Sequence, residues 1–248
     1  MWPPWTPLLS ARPPSHRPDG LWRWLPSRCA ICRNWPQAPL CDACISRFAS
    51  PQHRCQSCAL PLPSPAQRCG ACLGQPPPLD VCLAAVAYTW PWQGLIAHFK
   101  FQEKAGWAGP LAGLMLSAPW VEDTLDQADW VLPIPLSAQR LAQRGFNQAW
   151  LLAQQLSPTK ADVGLLLRTR HTPAQSSLPR AERLSNLVGA FAIEPLRAAQ
   201  IQGRRVVLVD DVMTSGASLH TAAKALKQAG ATQVSAIVLA RTEAASQD

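Results

Sequence analysis

One stretch decides the fold: Val206-Val-Leu-Val-Asp-Asp-Val-Met-Thr-Ser-Gly-Ala-Ser218. It begins with four consecutive apolar residues, three of them β-branched, which predict a strand buried on both faces of a parallel sheet. Asp210 and Asp211 follow at the C-terminal end of that strand, and an apolar-periodic helix is predicted to start near Leu219. Because ligands of open α/β sheets bind at the carboxyl ends of strands, the acid pair is predicted to line a binding site.

The loop between this strand and this helix is suited to a phosphate. Its residues are small or hydroxylated: Thr214, Ser215, Gly216, Ala217 and Ser218. A loop of this kind that opens a helix offers backbone N–H groups and the positive end of the helix dipole to an anion. The stretch therefore predicts a site that holds a hydroxylated part of a ligand with the acid pair and a phosphorylated part with the loop.

The same stretch closely resembles the phosphoribosyl pyrophosphate (PRPP) signature of type I phosphoribosyltransferases. The resemblance implies that Asp210 and Asp211 contact the ribose 2- and 3-hydroxyls and that residues 214–218 hold the 5-phosphate. A core strand that ends in a solvated acidic turn would not need both the acid pair and the Thr-Ser-Gly run. P-loop ATPases also carry an apolar-Asp-Asp strand, but they require a Gly-Lys loop, and no glycine here is followed by lysine.

The composition predicts a folded chain with a real core and long irregular connections, because 48% of its 248 residues are hydrophobic and 25 are proline. This length allows one large domain or two modest ones. The sequence contains no uncharged apolar run of about 18 residues, which argues against a transmembrane helix. The N-terminus is broken by prolines and lacks the apolar segment of a secretory signal. We therefore expect a cytoplasmic protein.

The net charge of +8 is concentrated in two regions. Residues 1–80 hold eight arginines against three aspartates, and residues 140–183 hold six arginines and one lysine against two acids, so each region has a net charge of +5. Both regions are predicted to face phosphate groups of a small molecule or a nucleic acid, although solubilising surface charge is the alternative for the first. Arginine in place of lysine favours specific phosphate contacts in the second region.

Eight of the nine cysteines form Cys-x-x-Cys pairs. The pairs are Cys29 with Cys32, Cys41 with Cys44, Cys55 with Cys58, and Cys69 with Cys72. Two such turns supply a tetrahedral four-sulfur site, so the array predicts two structural Zn²⁺ ions. A disulfide framework would need an oxidising compartment, and a redox motif would show a single pair. Pairing in sequence order would give two consecutive zinc ribbons, and alternating pairing would give an interleaved cross-brace; both remain open.

The remaining pattern divides the chain into four segments. They are a Pro/Trp-rich leader at 1–25, a double zinc ribbon at 26–74, a Pro-rich linker at 75–80, and a phosphoribosyltransferase-like domain at 81–243. Apolar patterning predicts strands at 81–89, 130–135, 164–167 and 234–240, and helices at 93–101, 109–117 and 138–155. This alternation argues for a parallel sheet covered on both faces by helices.

Further motifs narrow the resemblance to the ComF/GntX branch of phosphoribosyltransferase-like proteins. They are Pro133-Ile-Pro-Leu136, Arg144-Gly-Phe-Asn-Gln148, and Thr172-Pro-Ala-Gln-Ser-Ser177 with the Gly189-Ala-Phe191 run that follows. The resemblance covers about residues 27–242, because an N-terminal zinc ribbon is the usual companion in that branch. It implies a type I phosphoribosyltransferase-like sheet preceded by a small cysteine-rich zinc-ribbon domain. It departs at Ala217 and at Ser218, where threonine is common, and neither change removes a backbone N–H.

The resemblance also implies roles for the basic residues. Residues 168–183 resemble the mobile loop that closes over PRPP, which would bring Arg168, Arg170, Arg180 or Arg183 toward the pyrophosphate. Lys100, Arg140 and Arg144 are candidates for the opposite wall, although each single arginine could equally be a surface charge. The pyrophosphate is expected to arrive with Mg²⁺.

Two classes of function follow from these expectations. The first is an active phosphoribosyltransferase of nucleotide or related metabolism, with Asp210 and Asp211 as catalytic residues. The second, implied by the ComF resemblance, is a module that handles single-stranded DNA in natural transformation, with a DNA-uptake helicase or channel component as a partner. The 11 tryptophans could serve the second function as stacking platforms if some of them are exposed.

Overall fold

The structure, a computed structural model, describes residues 27–63, 66–101, 105–169 and 189–243. Within these residues, four strands form a parallel sheet in the order β1-β6-β5-β2, and two short strands, β3 and β4, form an antiparallel pair. The strands are β1 (Val81–Ala87), β2 (Trp130–Pro133), β3 (Leu166–Arg168), β4 (Phe191–Ile193), β5 (Arg205–Met213) and β6 (Gln233–Arg241). The predicted leader, residues 1–25, lies outside the described residues.

Helices cover both faces of the parallel sheet, as expected for this class of fold. The helices are α1 (Asp42–Phe48), α2 (Gly70–Gly74), α3 (Trp92–Phe101), α4 (Ala108–Leu116), α5 (Val121–Gln127), α6 (Ala138–Arg144), α7 (Gln148–Leu156) and α8 (Ala217–Gln228). Short 3₁₀ helices lie at Ala105–Trp107 and Pro195–Gln200. No helix in the described ranges is both long enough and apolar enough to cross a membrane.

Strand β5 is buried on both faces, which confirms the prediction from its apolar run. Val206 and Leu208 pack in the cluster that contains α8, whereas Val207 and Val209 pack in the cluster that contains α3, α4, α5 and α7. The strand continues to Met213, so the acid pair lies within its last residues rather than just after it. Pairing with β2 stops at Val209, which leaves the neighbouring edge open beside Asp210.

Most other predicted elements are present with ends shifted by one or two residues, as is usual at element ends. The strand predicted at 164–167 is present as β3, but its expected place in the parallel sheet is wrong. β3 instead pairs antiparallel with β4 in a separate two-stranded sheet. The sequence pattern did not predict α1, α2, α5 or β4. β4 has only three residues, too few to show a period.

The predicted single helix at 138–155 is wrong, because it is interrupted between α6 and α7. Gly145 ends α6 with a φ of 75°, a left-handed conformation that glycine adopts without strain. The Asn147 side chain then starts α7 by accepting a hydrogen bond from the N–H of Ala149 at 3.0 Å. Asn147 also donates to the Ile134 carbonyl oxygen at 3.1 Å, which fixes the new helix against the end of β2.

The two cysteine segments pack on opposite faces of the sheet. We call residues 27–50 the first module and residues 51–74 the second module. The second module lies on the α8 face, where Cys55, Cys58 and Cys72 join the apolar cluster and the Cys82 N–H of β1 donates to the Gln56 carbonyl oxygen at 2.7 Å. The first module lies on the opposite face, where the Trp92 indole donates to the Phe48 carbonyl oxygen at 2.8 Å. The bond from Cys82 to the second module pairs one backbone N–H of an edge strand that would otherwise expose it.

The helix interruption gives a stability prediction. Asn147→Ala removes both the cap of α7 and the hydrogen bond to Ile134, so it should lower the free energy of unfolding by about 1–2 kcal/mol. Urea denaturation measures this loss. Gln154→Ala, at an exposed position of the same helix, is the matched control and should change stability little. Equal stability of the two variants would contradict a capping role for Asn147.

Candidate functional site

The acid pair stands at the carboxyl end of β5 with its two side chains in different surroundings, because successive side chains of a strand point to opposite faces. Asp211 is buried, and its Oδ1 lies 3.0 Å from Nζ of Lys100 on α3. Asp210 is half-buried, and its Oδ1 accepts a hydrogen bond from the Asp211 N–H at 2.9 Å. The predicted pair is therefore brought together with Lys100.

Three arginines surround the Asp210 side of the site. Burial lowers the pKa of Arg140, the nearby Arg144 charge lowers it further, and the Asp210 carboxylate acts in the opposite direction. Burial and the Arg140 charge likewise lower the pKa of Arg168, again opposed by Asp210. These mutual effects show that the guanidinium groups lie close enough to repel one another. Clustered cations around one acid are typical of a site for a polyanion.

The arginines come from elements that converge at the end of β2. Arg140 lies in α6 and Arg144 ends it, where Nη1 of Arg144 donates to Oε1 of Gln148 at 3.1 Å. Arg168 ends β3, donates to the Pro135 carbonyl oxygen at 3.5 Å, and lies over the Phe191 ring at 5.4 Å from its centroid. Arg170, Arg180 and Arg183 lie outside the described residues.

Asp210 has an unusual proton affinity. Burial and the neighbouring Asp211 carboxylate raise the pKa of Asp210 to about 7, although Lys100 and Arg144 favour the charged form. The carboxyl group therefore changes its charge near neutral pH. A cation that approached it, such as a divalent metal ion, would favour the deprotonated form.

The predicted phosphate loop connects β5 to the N-terminus of α8. Gly216 has a φ of 80°, and a Cβ there would lie 2.5 Å from the Met213 methyl carbon and 2.8 Å from Nε2 of His220. Glycine is therefore required by conformation and by space. Ala217 is buried as the first residue of α8, which accounts for its apolar side chain within the loop. The loop thus presents the start of a helix next to the acid pair.

Two polar residues near this loop were missed by the sequence analysis. His220 packs against Gly216; burial and the Arg241 charge lower its pKa to about 4, and within the described residues its Nε2 atom is buried without a hydrogen-bond partner. Arg241 ends β6, is 4% exposed, and donates to the Met213 carbonyl oxygen at 3.0 Å. The available signal was a charged residue directly after the apolar run 236–240 of this strand.

The cysteines form two separate four-sulfur clusters, paired in sequence order. One contains Cys29, Cys32, Cys41 and Cys44, the other Cys55, Cys58, Cys69 and Cys72, and the sulfur atoms of each cluster lie within 4.8 Å of one another. Tetrahedral Zn–S bonds of about 2.3 Å place neighbouring sulfurs about 3.8 Å apart. The Sγ atoms of Cys32 and Cys41 are 3.8 Å apart, and those of Cys58 and Cys69 are 3.7 Å apart. Both clusters could hold a zinc ion, and the consecutive arrangement replaces the cross-brace.

The electrostatics of the clusters also suit a metal ion. Burial tends to raise the pKa of Cys29, but backbone N–H groups, that of Cys41 foremost, donate to its sulfur and bring the pKa down to about 6. Burial raises the pKa of Cys44 to about 12. A complete set of thiolates therefore needs the compensating charge of a bound cation.

Comparison with known proteins is consistent with these features. A model of the phosphoribosyl transferase domain matches residues 141–247. The chain is 33% identical over 230 residues to DNA utilization protein YhgH of Escherichia coli (strain K12), which covers 88% of this chain and 98% of that protein. It is 34% identical over 226 residues to Competence protein F of Haemophilus influenzae, with 86% and 96% covered. A match to Competence protein ComFC of Bacillus subtilis has 37% identity over 113 residues, 45% of this chain and 44% of that protein.

The parallel sheet, the strand-end acid pair and the glycine loop define a phosphoribosyltransferase-fold protein with two N-terminal four-cysteine modules. Within that class, the chain belongs to the family of Competence protein F and DNA utilization protein YhgH, which confirms the ComF resemblance.

The raised pKa of Asp210 gives a pH prediction. An unfolded aspartate loses its proton near pH 4, whereas Asp210 in the folded protein keeps it until about pH 7. Between these values the folded state binds more protons, so this residue makes the free energy of unfolding fall as the pH rises. Asp210→Asn removes the effect and should be more stable than the wild type near pH 8, with the gain vanishing near pH 4.

Denaturant titrations at several pH values measure this difference. Asp123→Asn, at an exposed position on α5, makes the same chemical change and should give no gain that grows with pH. A constant difference between Asp210→Asn and the wild type across the range would contradict the prediction.

Proposed function

We propose that this protein binds PRPP, or a related phosphoribosyl ligand, together with Mg²⁺. The observation that carries the proposal is the juxtaposition of the acid pair with a glycine loop at the start of α8. Asp210 and Asp211 would accept hydrogen bonds from the ribose 2- and 3-hydroxyls. The loop, from Thr214 to Ser218, would hold the 5-phosphate with backbone N–H groups and hydroxyls.

The basic residues around Asp210 would hold the pyrophosphate. Arg140, Arg144 and Arg168 interact electrostatically with Asp210 or with one another, and Lys100 pairs with Asp211. Guanidinium groups bind phosphate oxygens through two parallel hydrogen bonds, which suits this role. Arg180 and Arg183 lie outside the described residues, and we propose by resemblance alone that they also contact the pyrophosphate.

The donor set fits a divalent cation that arrives with the pyrophosphate. Carboxylates and phosphates that meet at close range repel by about 4 kcal/mol per pair at an effective dielectric constant near 20. Mg²⁺ prefers carboxylate and phosphate oxygens and would supply charge neutralisation between them. Asp210 and Asp211 are the residues that would face it, and deprotonation of Asp210 near neutral pH favours binding.

Catalytic turnover of the bound PRPP is a further proposal beyond ligand binding. A phosphoribosyltransferase would transfer the phosphoribosyl group to an acceptor. The bond from the acceptor to the anomeric carbon would form as the bond to pyrophosphate breaks, and the arginines would stabilise the charge that develops on the departing pyrophosphate. A protein active in nucleotide or related metabolism, with no DNA role, is the alternative to the ComF-type function. A PRPP-dependent pyrophosphate-release assay against a panel of bases distinguishes turnover from binding alone.

We further propose a role in DNA uptake, in which the protein handles single-stranded DNA in the cytoplasm beside an uptake helicase or channel component. The names of the relatives, DNA utilization and competence proteins, suggest it. A specific structural observation favours it: Trp35 and Trp90 are 58% and 70% exposed, which is unusual for so large an apolar side chain. Exposed aromatic rings are platforms on which unpaired bases stack.

These tryptophans are associated with the first module and with arginines. Trp35 lies between Cys32 and Cys41, and Trp90 meets the Phe48 ring of α1 edge-on at 5.0 Å. The Arg47 guanidinium lies over the same Phe48 ring at 5.3 Å, and both Arg28 and Arg33 are exposed. Aromatic rings next to arginines offer stacking to bases and charge to phosphates, a combination suited to single strands.

The ligand proposal is tested by isothermal titration with PRPP in the presence of Mg²⁺. The double variant Asp210→Asn with Asp211→Asn should weaken binding by at least about 100-fold, since two charged hydrogen bonds of about 1.5–3 kcal/mol each are lost. Omission of Mg²⁺ should also weaken binding. Asp123→Asn is the matched control and should bind as the wild type does. Absence of wild-type binding, or equal binding by the double variant, would remove the site.

The DNA proposal is tested by gel shifts with a single-stranded oligonucleotide over a range of salt concentrations. Trp35→Ala with Trp90→Ala should weaken binding at least tenfold, because each stacked base contributes about 1–3 kcal/mol. Binding by the wild type should fall steeply with salt, as phosphate contacts require. Leu196→Ala, which truncates a 94% exposed apolar side chain elsewhere, is the control. No affinity at low salt, or no loss in the tryptophan variant, argues against this surface.

A further inference from the structure

One buried arginine connects the second cysteine module to the phosphate loop. Arg241 lies at the end of β6, where its side chain is almost completely buried. Its Nε donates to the carbonyl oxygen of Cys58, a proposed metal ligand, at 2.8 Å. Its Nη1 donates to the Met213 carbonyl oxygen at 3.0 Å and to that of Thr214. One planar group thus joins two segments that are far apart in sequence.

The carbonyls that Arg241 holds are those at the entry to the phosphate loop. Met213 is the last residue of β5, and its side chain packs where a Cβ of Gly216 would lie. The Thr242 N–H also donates to the Met213 carbonyl oxygen at 3.1 Å. The backbone direction at Met213 and Thr214 determines where the following N–H groups point. Arg241 therefore supports the loop through these backbone carbonyls, although it is not one of the loop residues.

The second module is close to the loop on the other side of a groove. The groove has a volume of about 640 Å³, and its walls include Cys58 and Cys72 from the module and Ser215 and His220 from the loop and α8. Arg241 also lines it. A hydrogen bond from Cys82 to Gln56 fixes the module to β1 beside it. Movement of the module relative to the sheet would therefore displace the acceptor at Cys58.

We propose that Arg241 is a positioning residue: through its hydrogen bonds it connects the second module to the phosphate loop and thereby fixes the conformation of that loop. The loop then has its binding conformation only when that module is folded around its metal ion. This inference rests on the proposed function for the part that concerns ligand affinity, but its structural part stands without it. The first module lies on the opposite face and, in the described part of the chain, contacts α3 through Phe48 and Trp92, so we assign it no such role.

Arginine has the geometry that this role requires. Its planar group donates in several fixed directions at once, so it can hold Cys58 on one side and the loop carbonyls on the other. A lysine at this position keeps the positive charge but has a single donor atom. Because its N–H groups all leave one atom, it cannot occupy both the Nε and the Nη1 positions, so the hydrogen bond to Cys58 or those to the loop carbonyls would weaken.

The experiment compares matched cysteine variants of the full chain. Cys72→Ser and Cys44→Ser each remove the last ligand of one cluster, and both side chains are buried. Each variant should lose one zinc ion per chain. Hydrogen exchange of residues 214–218, without ligand, should quicken at least tenfold in Cys72→Ser and stay within twofold of wild type in Cys44→Ser. PRPP affinity should fall at least tenfold in Cys72→Ser and should not fall in Cys44→Ser.

Arg241→Lys tests the connection independently of the metal. It should retain both zinc ions and still show faster exchange at residues 214–218, while amides in the centre of β5 and β6 remain protected. That contrast is the readout that a general loss of stability would not give. Arg241→Lys alone decides the question if Cys72→Ser fails to fold.

Two results would overturn the inference. One is wild-type exchange of the loop in Arg241→Lys, and the other is equal exchange of the loop in Cys72→Ser and Cys44→Ser after each has lost its metal. Failure of the proposed function looks different. In that case the wild type does not bind PRPP, while the exchange measurements still report whether the module holds the loop.

Discussion

The ion pair between the buried Asp211 and the half-buried Lys100 connects the end of β5 to α3, and the arrangement of the site depends on it. Adjacent carboxylates in a strand point to opposite faces, so Asp210 faces Arg140 and Arg168 instead. These arginines also repel one another, and burial disfavours the charged forms of Arg140, Arg168 and Asp210. The pocket thus holds separated charges that an anionic ligand with a divalent cation would satisfy. Such a site stabilises the fold less than an apolar strand end would. A local loss of stability of this kind is common at functional sites.

The sheet imposes a second constraint, because β1 is an outer strand with backbone groups that need cover. The second cysteine module supplies a partner to this strand, and both modules pack in the apolar clusters on opposite faces of the sheet, although residues 27–74 contain few large apolar side chains of their own. Metal coordination can fold a segment that lacks a core, since binding free energy becomes folding free energy. The modules can therefore be short and still hold fixed positions against β1, α3 and α8.

Local sequence predicted the parts of the structure that depend on neighbours in the chain. The apolar run before Asp210, the glycine loop and the Cys-x-x-Cys turns all have short-range causes. The helix at 138–155 failed because apolar periodicity outweighed two local signals, Gly145 and Asn147. The roles of His220 and Arg241 could not be predicted, because they depend on tertiary contacts; Arg241 and Cys58 are 183 residues apart. The antiparallel pairing of β3 likewise depends on β4, a partner that is distant in the sequence.

The contact between Cys58 and Arg241 gives a physical reason for joining a cysteine segment to this fold. A loop at a strand end has few neighbours of its own, and a phosphate site needs its N–H groups fixed before the ligand arrives. A metal-bound turn is rigid and small, so it can supply a fixed carbonyl where a larger apolar support would fill the groove. The first module is then free for the proposed contact with DNA, since its Trp35 and Arg33 are exposed. Two similar modules on opposite faces of one sheet would thus serve the two proposed ligands, which share only their phosphates.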